Sequence, residues 1–335
     1  MKSYQTFTHP QLLEKPPVLK GVLSLFLSLI MYNAIRLCYF SLEQTRTMNQ
    51  SPFHSAVLLI SCPDRQGLVA AVTAFIARHN GNILHLDQHV DAAENVFFMR
   101  VEWELGGFTL DAAAIAPAFE QVAAPFAMTW ELHFSDQIPR MVVFVSKEAH
   151  CLYDILYRWQ SGEWRVNIPA IVSNHPDLGD LVGKFGIPYH VISVNKEDKR
   201  EAEAAQLALL EQLQPDFVVL ARYMQILSET FVANFANRII NIHHSFLPAF
   251  VGAKPYHRAH GRGVKIIGAS SHYVTAELDA GPIIEQDVVR VNHRDSVDDL
   301  IRKGKDVEKL VLSRAIRYHL NHQVLVYNNK TVILG

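Results

Sequence analysis

The feature that most constrains this chain is a run of five apolar residues without a polar interruption, Met141-Val-Val-Phe-Val145. A strand with one face in water alternates apolar and polar residues. An unbroken run must therefore be covered on both faces, as a central strand of a parallel sheet is. Similar runs recur at Ile168–Val172, Tyr189–Val194 and Phe217–Ala221 and again after Arg238, separated by segments of helical spacing. The expected architecture for residues 139–335 is a doubly wound, mostly parallel α/β domain. Two late strands, Val264–Val274 and Ile283–Val291, complete its sheet, and a helix from about Ser296 and a hairpin over Val324–Leu334, turning on Asn328-Asn329, close the chain. In the helix Arg200–Leu213, Ala205, Leu209 and Leu213 are expected to face the core, with Glu201 and Glu203 toward solvent.

Residues 53–135 carry a different pattern. Ala56–Cys62 reads as a strand, Leu68 to Ile76 as a helix, Ile83–Val90 and Val96–Trp103 as a hairpin, Leu110–Val122 as a helix and Phe126–Phe134 as a strand. This βαββαβ order is a ferredoxin-like unit, and Ser135–Pro139 links it to the second domain. Residues 1–48 fit neither pattern. Gly21–Ile35 is 15 uncharged residues, short of the ~20 needed to cross a bilayer. The expectation is that translation begins at Met48 and that 1–48 lies outside the folded protein, a membrane anchor being the alternative.

Composition narrows the function. A net charge of −2 gives no electrostatic case for nucleic acid. The three cysteines, Cys38, Cys62 and Cys151, have no ligand spacing and suit free thiols in a reducing cytoplasm. No metal site is expected. His243 and His244 are adjacent on a strand and face opposite ways, which makes them a poor ligand pair.

The chemistry gathers after the strand that follows Arg238, in Asn241-Ile-His243-His244-Ser245-Phe246-Leu247-Pro248. Asn241 and His243 are two residues apart on a strand and share a face at its carboxyl end, where open α/β sheets bind ligands. Downstream, His272 lies on a strand, and Asp279 on a loop that leads into Gly281-Pro282. An amide can hold a developing oxyanion, and an imidazole beside a carboxylate can move a proton. Which of His243 and Asp279 is the formal base stays open at this level.

The wording NIHHSFLPAF, KPYHRAHGRGVKIIGASSHYV and LDAGPIIEQDV resembles the catalytic segment of the folate-dependent formyltransferases, and within that superfamily the formyltetrahydrofolate deformylase branch. The first domain, with Cys-Pro-Asp-Arg-Gln-Gly-Leu-Val at its first turn, resembles an ACT domain. The resemblance implies hydrolysis of 10-formyltetrahydrofolate to formate and tetrahydrofolate, supplying formate to purine synthesis and balancing one-carbon folate pools, with Asn241, His243 and Asp279 catalytic. It places the pterin against Arg222, Met224, Gln225 and Leu227, with His272 and Gly281 beside the substrate. It gives the turn Asp64, Arg65, Gln66 and Gly67 to a small amino-acid effector, a purely structural domain being the alternative. It implies no cofactor, a cytoplasmic enzyme without membrane or nucleic-acid partners, and a homo-oligomer.

Hydrolysis is preferred to formyl transfer because the related transferase that formylates glycinamide ribonucleotide holds its acceptor's phosphate on a glycine-containing loop. Here that loop reads Ser146-Lys-Glu-Ala-His-Cys151, without glycine. Transfer to an amine, or an inactive folate or amino-acid sensor, remain the competing expectations.

Overall fold

The computed structural model describes residues 54–195, 199–248 and 255–335, so the expectations for residues 1–48 lie outside them. The first domain runs β1 (Ser55–Pro63), α1 (Leu68–Arg78), β2 (Asn82–Asp91), β3 (Val96–Glu104), α2 (Ala112–Ala123) and β4 (Thr129–Phe134), in the expected order. Its sheet has the order β2-β3-β1-β4, with every pairing antiparallel. Leu68, Val72, Phe75 and Ile76 of α1 are buried, as their 3–4 spacing requires. β4 begins three residues later than expected. Ala124–Phe126 is a 3₁₀ turn containing Pro125, and Ala127 has a left-handed φ of 51°, so the chain extends only beyond it.

The second domain is a seven-stranded sheet of order β11-β10-β9-β8-β5-β6-β7. β5 (Met141–Val145), β6 (Ile171–Ser173), β7 (Tyr189–Val191), β8 (Phe217–Ala221) and β9 (Ile239–His243) are parallel. β10 (Ile266–Tyr273) runs against β9, and β11 (Ile283–Arg290) against β10. Every residue of β5 and β8 is buried. Around the sheet lie α3 (His150–Gln160), α4 (Gly179–Gly183), α5 (Lys199–Leu213), α6 (Glu229–Ala233), α7 (Pro255–Arg262) and α8 (Val297–Leu320). α8 opens with a capping box in which the Ser296 hydroxyl accepts from the Asp299 amide and the Asp299 carboxylate accepts from the Ser296 amide.

The face of α5 differs from expectation. Its buried residues are Ala202, Glu203, Gln206 and Leu210, while Ala205 is exposed and Leu209 and Leu213 are half-buried. Two polar residues win core positions through specific bonds: Glu203 accepts from the Ser228 amide at 2.9 Å, and Gln206 donates to the Tyr223 hydroxyl at 2.7 Å. The closing hairpin, β12 (Val324–Tyr327) and β13 (Lys330–Ile333), forms a separate two-stranded sheet. Leu325 and, just past β13, Leu334 pack with Val57, Leu59 and Phe98 of the first sheet. Arg100 of β3 donates to the carbonyls of His322 and Asn321 at 3.0 and 3.2 Å, fastening the end of α8 to the first domain.

Candidate active site

Asn241 and His243 stand on β9, and His272 lies directly across from Asn241 on β10. Asp279 reaches them from the loop between β10 and β11, where its own backbone takes a left-handed φ of 55°. That loop is held close by Gly281, where a Cβ would lie 1.9 Å from the Tyr273 carbonyl oxygen, so no larger residue fits. The result is one cluster. His243 Nδ1 donates to Asp279 Oδ2 at 3.2 Å, and Asn241 Nδ2 is 3.1 Å from His272 Nε2.

Hydrogen-bond partners assign the ring protons. The Tyr273 carbonyl can only accept, so His272 Nδ1, 2.9 Å away, carries a proton. In the neutral ring Nε2 then keeps a lone pair, which Asn241 Nδ2 can approach with one N–H. The amide's second N–H stays available for an incoming oxygen. His243 is 6% exposed, and its Nε2 has no hydrogen-bond partner among the described residues. With Nδ1 committed to Asp279, Nε2 is the nitrogen that can exchange a proton with a substrate.

Electrostatics fits these assignments. Burial alone would push the Asp279 carboxyl up, but His243 and His272 together outweigh it and hold the group well below the usual carboxylate range. Of the two imidazoles His243 is the nearer and stronger influence, since His272 Nε2 lies 3.8 Å from Asp279 Oδ1. The His244 ring does not take the opposite face expected of a strand neighbour: β9 ends at His243, and the His244 ring lies 5.2 Å from that of His243 and 6.2 Å from that of Tyr256. Burial, aided by the nearby Arg222 guanidinium, lowers His244 to about 4, so it is neutral at pH 7.

The other expected positions fall in two places. Residues 222–227 leave the end of β8. Arg222 and Met224 have left-handed φ values of 63° and 59° there. Met224 is 59% exposed and free to lie against a ring, whereas Leu227 is buried in the core. Gln225 is half-buried between them, and the Arg222 side chain turns away toward Glu308. The turn Asp64, Arg65, Gln66 and Gly67 is exposed in the first domain. Gly67 has a φ of 93° at the N-terminus of α1, and the Arg65 guanidinium sits 4.4 Å over the Phe126 ring.

Several supporting residues carry no signal in the motif. Ser271 donates to the Asn241 carbonyl at 2.9 Å, while Ser270 donates to the Ser245 carbonyl and accepts from the Leu247 amide, pinning the loop after β9. Gln286 donates to Ser270 at 2.7 Å. The clue was two small hydroxyl residues inside a buried strand, where each must find a partner. Among the described residues one trio, His150, Cys151 and Glu308, brings metal-type ligand atoms within 4.8 Å of one another. Its carboxylate already accepts from His150 and Tyr256 and lies 3.5 Å from the Arg222 guanidinium, which supplies the positive charge a metal would bring.

A parallel sheet crossed by an Asn-x-His strand and an aspartate loop defines a formyl-transfer fold. The Formyl transferase family model matches residues 139–316, and the ACT domain model matches residues 56–124. The chain is 59% identical over 281 residues to a formyltetrahydrofolate deformylase of a Synechocystis species, covering 84% of this chain and 99% of the relative. The crystal structure of a formyltetrahydrofolate deformylase from Pseudomonas syringae superposes with a TM-score of 0.84 at 47% identity, covering 89% of this chain and 100% of that one. The chain belongs to the formyltetrahydrofolate deformylase family. A glycinamide ribonucleotide transformylase from Symbiobacterium toebii shares the fold at a TM-score of 0.56 and 29% identity, covering 61% of this chain and 98% of that one.

Proposed function

We propose that the site hydrolyses 10-formyltetrahydrofolate to formate and tetrahydrofolate. The observation that carries this reading is the His243–Asp279 pair at 3.2 Å beside the Asn241 amide, in a chain 59% identical to a deformylase. Water attacks the formyl carbon, and the developing oxyanion takes the free N–H of Asn241. A carboxylate held far below its usual range is a weak base, so the water's proton passes to His243 Nε2. Asp279 aligns the water and stabilises the imidazolium, which then protonates N10 as the C–N bond breaks. His272 holds the Asn241 amide in its donating orientation. These steps use only the chain's own side chains.

The exposed Met224 and the backbone of residues 222–227 support a pterin site beside this cluster. The Asp64–Gly67 turn supports a small amino-acid effector site at a helix N-terminus. The β2 edge, with Leu84 and Val90 about two-fifths exposed (40% and 39%), supports a homo-oligomer. Among the described residues no helix is long and apolar enough to cross a membrane, and a cytoplasmic enzyme of one-carbon metabolism accords with the substrate. The test is formate release from 10-formyltetrahydrofolate with no amine present. Release supports hydrolysis, while turnover that requires an added amine would make the protein a transferase, and no turnover at all a sensor.

A further inference from the structure

The loop that carries Asp279 is held from outside the seven-stranded sheet. Asn329, exposed at the turn of the closing hairpin, donates from Nδ2 to the Ala280 carbonyl at 2.7 Å. Thr331, the second residue of β13, donates from its hydroxyl to the Ile283 carbonyl at 2.6 Å. The two bonds bracket Gly281-Pro282 and begin at the residue after Asp279. Asp279 itself has a left-handed φ of 55°, a conformation that costs a residue with a Cβ free energy and persists where neighbours enforce it. The 3.2 Å contact of its carboxylate with His243 depends on that backbone being held in place.

The same hairpin is seated on the first domain. The Tyr327 hydroxyl donates at 2.5 Å to Asp91 Oδ2, at the end of β2, and its ring lies 4.6 Å from that of Phe98 on β3. The Gly335 amide donates to Asp87 Oδ2 at 3.1 Å, and Leu325 and Leu334 pack with Val57, Leu59 and Phe98. Tyr327 and Asn329 are two residues apart, so one tight turn bonds both the first sheet and the backbone beside Asp279.

We infer that the closing hairpin positions the catalytic aspartate, and that it does so from its seat on the first domain. Asn329 and Thr331 are positioning residues, reaching the reaction only through the Asp279 loop, and Tyr327 anchors them. The inference rests on the role given to Asp279 in hydrolysis. It supplies the first domain with a physical connection to the reaction centre. A movement of β2 against the second domain would reach Asp279 through two hydrogen bonds in series, at Asp91 and at Ala280.

The experiment measures formate release from 10-formyltetrahydrofolate, and the thermal midpoint, for the wild type, Asn329→Ala, Thr331→Val and Tyr327→Ala. Asn329→Ala is also combined with Asp279→Asn and with Tyr327→Ala. Asn329 is exposed at a turn, so its replacement should leave the midpoint within about 2 °C of wild type. It should lower kcat about tenfold at nearly unchanged KM, because a displaced catalytic group slows the reaction without loosening the substrate. Thr331→Val, of the same shape, should give a smaller fall of the same kind. In the Asp279→Asn background Asn329→Ala should change kcat by less than about twofold, since no carboxylate is left to position. Tyr327→Ala should lower kcat, and combining it with Asn329→Ala should add little, as links in series require. If Tyr327→Ala does not fold, Tyr327→Phe, which loses only the bond to Asp91, replaces it and should show the same lack of additivity. Wild-type kcat in Asn329→Ala, a loss confined to KM, or an undiminished loss in the Asp279→Asn background overturns the positioning role. Wild-type kcat in the folded Tyr327 variant, or losses that multiply with that of Asn329→Ala, overturns the seat on the first domain. Absence of formate from the wild type would overturn the hydrolytic reading, and the inference with it.

Discussion

At the scale of single residues, the site divides its labour between two protonation states. Asp279 stays ionised because His243 donates to it, and His243 keeps Nε2 open because Asp279 holds Nδ1. Asp279→Asn removes the charge and leaves the shape. Its turnover should fall by ~10²–10⁴-fold, the usual cost of a positioned acid–base group. Binding of a non-hydrolysable folate, read by calorimetry, should change little, because the exposed Met224 is untouched. A residual rate above about a tenth of wild type would remove Asp279 from the mechanism. For Asn241→Ala, kcat should fall more than affinity, since an oxyanion contact strengthens mainly in the transition state. His272→Phe should resemble it: the amide would lose the acceptor that orients it, although His272 itself carries no proton to the substrate.

At the scale of elements, α8 is the beam to which both domains and the buried cluster of His150, Tyr256 and Arg222 around Glu308 attach. Ser296→Ala removes the side-chain half of its capping box, while the backbone N–H of residue 296 can still donate to Asp299, and should lower stability by about 0.5–2 kcal/mol, read from the denaturant midpoint at unchanged slope. Gly304→Ala on the same helix should cost more, because its Cβ meets the Tyr256 hydroxyl rather than open space. The elements were largely legible in the sequence. The unbroken apolar runs of β5 and β8 place them at the sheet's centre, and Asn241, His243 and Asp279 stand together as their motif implies. The failures share one cause. The buried face of α5 shifts because Glu203 and Gln206 find partners on a distant loop, and Glu308 and Tyr256 meet across 52 residues of chain. Periodicity records hydrophobicity, whereas a buried polar residue is decided by a partner that local sequence does not reveal.

At the scale of the whole molecule, the two domains meet through imidazoles. The ring of His133 on β4 stacks on His322 at 3.7 Å and 8°, and His319 bonds the Tyr273 hydroxyl at 2.8 Å. Burial, reinforced by the His133 charge, lowers His319 to about 4 and His322 to about 3. A histidine depressed in the fold favours the folded state fully above its unfolded pKa of about 6.5. That contribution should fade as pH drops from about 6.5 toward 4 and then 3, so the thermal midpoint should decline across this window and be flat just above it. The seating of Leu325 and Leu334 on Val57, Leu59 and Phe98 has a further consequence, in time rather than in space. The segment that covers the first domain's second face is made only after the catalytic sheet that precedes it in the chain. Throughout synthesis of the catalytic domain that sheet stays half-clad, a sticky surface of Val57, Leu59 and Phe98 awaiting Leu325 and Leu334. Chaperone dependence and aggregation of chains stalled before residue 324 should therefore exceed those of chains stalled after Leu334 has docked.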